Sequence, residues 1–307
     1  MNWISLTLLL MVSSCLPLPE ESKPTSSSLF TAPGDIIVSS INNDAVYVFD
    51  SEGTYKRILW STTRVADVIN ALGWMHSTNE ILISVEGAAV DRVIAVSVID
   101  GRARELINDA NFVGTARGVA QLYSSRDIIA SEGATMERYN ENGIRESHGT
   151  IWPSNVATLA NTHSIRALQD GTWIAATNAS GLRLFPDQVT TFASSANAAP
   201  PTGTTITYGV DQTSTGQFIA SWEGGSEDYL SLYNSDLSFN RHIIGNDQGL
   251  LTAPRGVAVK KNGNFLVADQ TRQYIIEVTP AGSVVKLIGQ GFLNSPYALI
   301  VVPDFSP

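Results

Sequence analysis

Short runs of large apolar residues, bounded by Gly, Asn, Asp or Ser, recur along the chain, and no segment sustains apolar spacing at the helical period. Six runs resemble one another: DIIVSS (35–40), EILISVEG (80–87), DIIASEG (127–133), TWIAATN (172–178), QFIASWEG (217–224) and NFLVADQ (264–270). Their first large apolar residues are Ile36, Ile81, Ile128, Trp173, Phe218 and Phe265, at intervals of 45 or 47 residues. Val, Ile, Thr and aromatic residues dominate these runs, as strands prefer. Each run is followed by a second strand that ends in a turn, such as AVYVFDSEG (45–53) or IIEVTPAG (275–282), and then by a third, such as YKRILW (55–60) or VVKLIG (284–289). A further short strand precedes each run, clearest as RGVAQL (117–122) and RGVAVKKNG (255–263).

A four-stranded unit of about 40 to 50 residues is the pattern of a propeller blade, which stacks radially and leaves only short edges. The expected fold is therefore all-β, a six-bladed β-propeller of four-stranded blades forming one domain over 35–307. The first blade lacks its innermost strand at the start of the chain. SPYALIVVPD (295–304) aligns with APRGVAVKKN (253–262) and has no outer strands after it. The C-terminal strand is thus expected to complete blade one and close the ring, removing edges open to pairing with other chains.

The N-terminus carries a different signal. Residues 3–12 are apolar but too few to span a bilayer, which takes roughly 20, and they suit the h-region of a signal peptide. Val12-Ser13-Ser14-Cys15 then resembles the lipobox of bacterial lipoproteins, which implies a signal peptide over 1–14 and lipidation of Cys15. In that family an aspartate after the cysteine retains the protein in the inner membrane; Leu16 stands here, implying the outer membrane of a Gram-negative cell. The alternative is an ordinary secretory signal with an incidental cysteine. Cys15 is the only cysteine, so no disulfide staples the fold. Residues 15–34, rich in Pro, Ser and charge, read as a flexible tether. The net charge of -10 disfavours nucleic acid and anionic lipid as partners. Membrane contact is therefore expected through the lipid alone, and the protein is expected to be a monomer.

Blade six, APRGVAVKKNGNFLVADQTRQYIIEV (253–278), resembles an NHL repeat in its Gly-Val-Ala-Val, Asn-Gly turn and Val-Ala-Asp. The other blades match more loosely: Arg117-Gly118-Val119-Ala120 in blade three, Asp170-Gly171 in blade four. The resemblance implies the fold, and a fold does not imply a function.

In propellers of this type, ligands usually meet the face onto which the loop after the second strand opens. The second strands end in Asn42, Glu86, Glu132, Asn178, Glu223 and Asp269. Glu86, Glu132, Asn178, Glu223 and Asp269 form a candidate ring for calcium or for sugar hydroxyls; equally, such residues cap turn amides. The inner strands begin with Arg117, His163, Tyr208, Arg255 and Tyr297, expected to cluster at the channel mouth and to suit an anionic or polyhydroxylated ligand, or else Arg to Glu pairs between blades. Trp222, beside Glu223, and Trp152 are candidate stacking surfaces or plugs over the core. Residues 189–207, small and polar with two prolines, read as a long loop. Asn178-Ala179-Ser180 is formally a glycosylation triplet without weight in a bacterial lipoprotein.

No recognisable catalytic motif surrounds His76, His148, His163 or His242, and serine hydrolase, zinc protease, phosphate-loop and EF-hand signatures are absent. No catalytic residue is assigned. Two functions fit: a cell-envelope scaffold that binds a protein, glycan or small molecule, or a metal-dependent hydrolase or lactonase using the acidic ring.

Overall fold

The computed structural model describes residues 30–305 except 65, 110–111, 113–114, 134, 147–160, 179–180, 187–195, 200, 202–203, 225–226 and 246–248. The signal peptide, Cys15, most of the tether and Trp152 lie outside the described residues, as do Ala179 and Ser180 of the glycosylation triplet. No helix among the described residues is long and apolar enough to cross a membrane.

The chain forms six antiparallel sheets in sequence order. Blade one contains β1 (Ile36–Ser40), β2 (Ala45–Phe49) and β3 (Tyr55–Ser61). Blade two contains β4 (Val68–Met75), β5 (Glu80–Glu86), β6 (Arg92–Ser97) and β7 (Ala103–Ile107). Blade three has β8 (Ala116–Gln121), β9 (Ile128–Glu132) and β10 (Thr135–Tyr139). Its sheet has three strands among the described residues, and a Tyr139–Arg145 bridge marks where a fourth would start. Blade four has β11 (Thr162–Ala167), β12 (Trp173–Thr177), β13 (Gly181–Phe185) and β14 (Ala196–Ala198). Blade five has β15 (Ile206–Gln212), β16 (Phe218–Glu223), β17 (Tyr229–Tyr233) and β18 (Phe239–Ile244). Blade six has β19 (Pro254–Val259), β20 (Phe265–Asp269), β21 (Tyr274–Val278) and β22 (Val284–Ile288). The last strand, β23 (Pro296–Val301), pairs with β1 as the inner strand of blade one, with Ile36 opposite Val301 and Val38 opposite Leu299. The ring closes as the sequence repeat requires.

Six apolar clusters hold the ring together, one between each pair of neighbouring blades. Ile37, Ile83 and Ile300 belong to the seam between blades one and two, and Val38, Leu266 and Ile275 to the seam between blades six and one. The remaining four seams are built the same way. Both faces of each sheet are thus covered. That is why the second strands read as near-continuous apolar runs without alternation: all five residues of β1, β12 and β20 are buried. Trp173 stacks on Phe185 at 4.0 Å in the seam between blades three and four, as its repeat position predicts.

Two expectations are corrected. The 189–207 segment is not one long loop: Ala196–Ala198 is the outer strand of blade four and β15 begins at Ile206. Trp222 is fully buried in the seam between blades four and five, 5.9 Å from Tyr233. It is a core residue, because side chains on a strand alternate in direction and Trp222 points into the seam while Glu223 points to the channel mouth.

Candidate functional site

All six inner strands break register at the same place, the end facing the loops after the second strands, here termed the upper face. The breaks lie between Ile69 and Ala71, Ala116 and Val119, Thr162 and Ser164, Thr207 and Gly209, Pro254 and Val257, and in β23 opposite Val38 to Ser40. An extra residue at such a bulge is re-aimed out of the ladder. The re-aimed residues are Asn70, Arg117, His163, Tyr208, Arg255 and Tyr297. A small residue follows each one: Ala71, Gly118, Ser164, Gly209, Gly256 and Ala298. A Cβ on Gly209 would lie 2.6 Å from Arg255 O, and one on Gly256 would lie 2.6 Å from Tyr297 O, so these positions let one inner strand lie against the next. Ser39 and Ser221, at the fourth position of β1 and β16, bond backbone groups at the bulges: Ser39 Oγ accepts from Ala298 N and Ser221 Oγ from Gly209 N.

The five expected mouth residues meet in space, and His163, Tyr208, Arg255 and Tyr297 line, with Arg166, a small space of about 10 Å³, room for one water. His163 is at the centre, with Nδ1 2.7 Å from Arg117 Nη1 and 3.1 Å from Tyr297 Oη. Burial, then Arg117 and Arg255, hold its pKa well below the ordinary value, so the imidazole is neutral and its unprotonated nitrogen can accept from Arg117. Its ring lies 4.4 Å from that of Tyr208. Arg255 sits 3.8 Å over Tyr208 and grips Glu223 with two hydrogen bonds, of 2.5 and 3.1 Å. This is the expected pair between blades, blade five to blade six. Burial pushes Tyr208 up to about 12 and raises Tyr297 as well, so both phenols keep their protons and act as donors.

Arg117 differs from Arg255. Among the described residues no carboxylate forms an ion pair with it, and its Nε is buried without a hydrogen-bond partner. The mouth therefore holds one neutralised guanidinium and one that keeps its charge.

The acidic positions are dispersed. Glu86 accepts from Asn70 Nδ2 at 2.8 Å, and Asn70 also donates to Ala116 O, which ties blade two to blade three. Glu223 is held by Arg255. Asp269 is fully buried and accepts from the backbone N–H groups of Thr252 and Arg272, a turn cap. Asn178 N donates to Asn161 O in the loop after β12, and Glu132 ends β9 opposite Ala116. Asn42 lies in a short 3₁₀ turn and bonds Asn294. Among the described residues no three His, Cys, Asp or Glu side chains are grouped to hold a metal ion.

Sequence reading omitted two features. Asn70 is the sixth mouth residue, at a bulge that, like those of His163 and Tyr297, carries no glycine. Arg166 and Asp211 stand three residues beyond His163 and Tyr208, where the other inner strands carry Gly73, Ala120, Ala258 and Ile300. Two charges in an otherwise small or apolar register were the available signal. Arg166 spans the channel, donating to Leu72 O at 3.2 Å and Leu299 O at 2.7 Å, with Nε 3.7 Å from Asp211 Oδ1.

No known family profile matches the chain, and no curated protein matches it in sequence. Solved structures do. A chain of a nidogen/laminin complex superposes with a TM-score of 0.64 at 11% identity, covering 87% of this chain and 97% of that one. A gluconolactonase from Xanthomonas campestris gives 0.54 at 13% identity, covering 85% and 86%. The PQQ-bound aldose sugar dehydrogenase of Streptomyces coelicolor gives 0.59 at 14%, covering 88% and 91%. At such identities the likeness is one of fold.

Proposed function

We propose that the protein is an exported lipoprotein of the cell envelope whose propeller binds a small anionic ligand, a sugar acid or similar carboxylate, at the upper channel mouth. Arg117 carries this reading: a charged guanidinium with a buried unpartnered Nε, beside phenol donors and a neutral imidazole, is a receptor for an anion. Tyr208 and Tyr297 supply donors for hydroxyls. Two proteins of similar fold are by name a gluconolactonase and an aldose sugar dehydrogenase, which makes sugar acids the first ligands to try.

The lipobox-like Val12-Ser13-Ser14-Cys15 supports export, cleavage after residue 14 and lipidation, with residues 15–34 as tether and the outer membrane as destination. The folded part acts as a monomer. The metal-dependent hydrolase alternative lacks a convergent donor set among the described residues.

Titration calorimetry of residues 22–307 with gluconate, galacturonate and acetate tests the site. A carboxylate should bind, and Arg117→Gln should weaken it about tenfold or more, as expected for loss of a charge-assisted bond. No binding, or binding indifferent to Arg117→Gln, would sink the proposal. Calcium that raises the melting temperature, with the rise lost in Glu132→Gln and Glu223→Gln, would revive the hydrolase reading. For the anchor, Cys15→Ser should abolish incorporation of labelled palmitate in bacterial cells; undiminished labelling refutes lipidation at Cys15.

A further inference from the structure

The opposite, lower end of the channel is open. Beneath Arg166 and Asp211 lies a cavity of about 140 Å³, walled by Trp74, Tyr123, Ile165, Ile300 and Pro303. It shares Arg166, Asp211, Val301 and Pro303 with a wider groove of about 930 Å³, lined further by Gln169, Gln212 and Ser214. The groove falls within the size range of small-molecule sites, about 300–1,000 Å³.

Its charges are balanced, in contrast to the upper mouth. Arg166 faces Asp211, Lys260 bonds Glu277 at 3.0 Å, and Lys261 bonds Asp304 at 2.8 Å. Each cation has its own carboxylate, so nothing draws a net ion into the groove. What remains is amphiphilic. Trp74 and Tyr123 line it with aromatic surface, and Tyr123 is set in place by stacking on His76 at 4.1 Å. Opposite them are fixed hydrogen-bonding groups of both kinds. Arg166 keeps N–H capacity beyond its bonds to Leu72 O and Leu299 O, and Asp211 is anchored by Val259 N–H at 2.8 Å. The Gln169 and Gln212 amides and the Ser214 hydroxyl each donate and accept. Alternating apolar faces and paired donors and acceptors match a molecule with C–H faces and neighbouring hydroxyls.

We propose that this lower vestibule is a second ligand site, for a neutral saccharide, with a sugar ring against Trp74 and Tyr123 and its hydroxyls on Arg166, Asp211 and Gln169. The site is independent of the anion site above, because the Arg166 side chain lies across the channel between them.

The test is calorimetric titration of residues 22–307 with glucose, maltose, cellobiose and N-acetylglucosamine, with tryptophan fluorescence recorded in parallel. At least one sugar should bind and perturb the fluorescence. Trp74→Leu and Gln169→Ala should each weaken binding by about tenfold, while Arg117→Gln at the upper mouth should leave it unchanged. Trp74 also packs on Phe305, 5.8 Å away, so the exposed Gln169, whose side chain bonds Tyr123, supplies a second variant outside the apolar seam. Failure of all four sugars to bind, binding that survives Gln169→Ala, or binding lost in Arg117→Gln would overturn the proposal. The Arg117 variant also separates failure here from failure at the anion site.

Discussion

Asp91 and Asp228 occupy the same place in blades two and five, four residues after Gly87 and Gly224. Asp91 accepts from Gly87 N at 3.0 Å and, with its other oxygen, from Ala116 N of the next blade at 2.9 Å. Asp228 accepts from Gly224 N at 3.4 Å, but Pro254 stands where blade three has Ala116 and offers no N–H. Burial, with Glu223 and Asp269 nearby, pushes Asp228 up to about 6. A carboxyl whose value is higher folded than unfolded binds its proton more tightly in the native state. Its contribution to stability is therefore present at low pH and lost as pH rises from about 4 to 6. Melting temperatures across that range should fall more steeply for the native protein than for Asp228→Asn, which keeps the acceptor for Gly224. Pro254→Ala should restore the second donor and lower the Asp228 pKa, followed by carboxyl NMR; parallel melting curves for native protein and Asp228→Asn would refute this. The proline is plain in the sequence, but its effect is not, since only the fold brings residue 254 to residue 228.

At the scale of the element, the second strands were the most legible. Their apolar residues face seams on both sides of the sheet, and that leaves a strong periodic trace in any ordering of the chain. The inner strands were legible through Arg-Gly-Val-Ala and Tyr-Gly-Val, because the bulge demands a small residue where the next strand lies close. Trp222 lies in a seam rather than on the surface because a residue one step from the channel mouth on a strand lies on the other face, and the repeat places the strand end only to within one residue. β23 carries the clearest consequence. It supplies Leu299 and Ile300 to the seams on both sides of blade one, and without it β1 becomes an open edge. Deletion of residues 292–307 should abolish soluble folding; a truncated chain that still melts cooperatively would show that closure is dispensable.

Across the whole molecule, Arg166 joins blade four to blades one and two, contacts that cross the ring rather than run around it. Arg166→Met removes these bonds and leaves the partly buried Asp211 without its counter-charge. Loss of hydrogen bonds made by a charged group costs about 1.5–3 kcal/mol, to be read from urea unfolding. Asp211→Asn in the same chain should return part of that loss, whereas no recovery would mean that the channel-spanning bonds, not the ion pair, carry the effect.

The sequence by itself determined the all-β class, the number of blades, the closing strand and the five residues that meet at the upper mouth, since a repeat of constant length places equivalent positions at equivalent points of a ring. Only the tertiary structure decided which mouth charges are neutralised, that the acids end as separate pairs and caps, and that the lower end is open. Those properties depend on ångström distances between blades more than forty residues apart along the chain, and a repeat records where a residue stands in its own blade but not which atom of the next blade it meets.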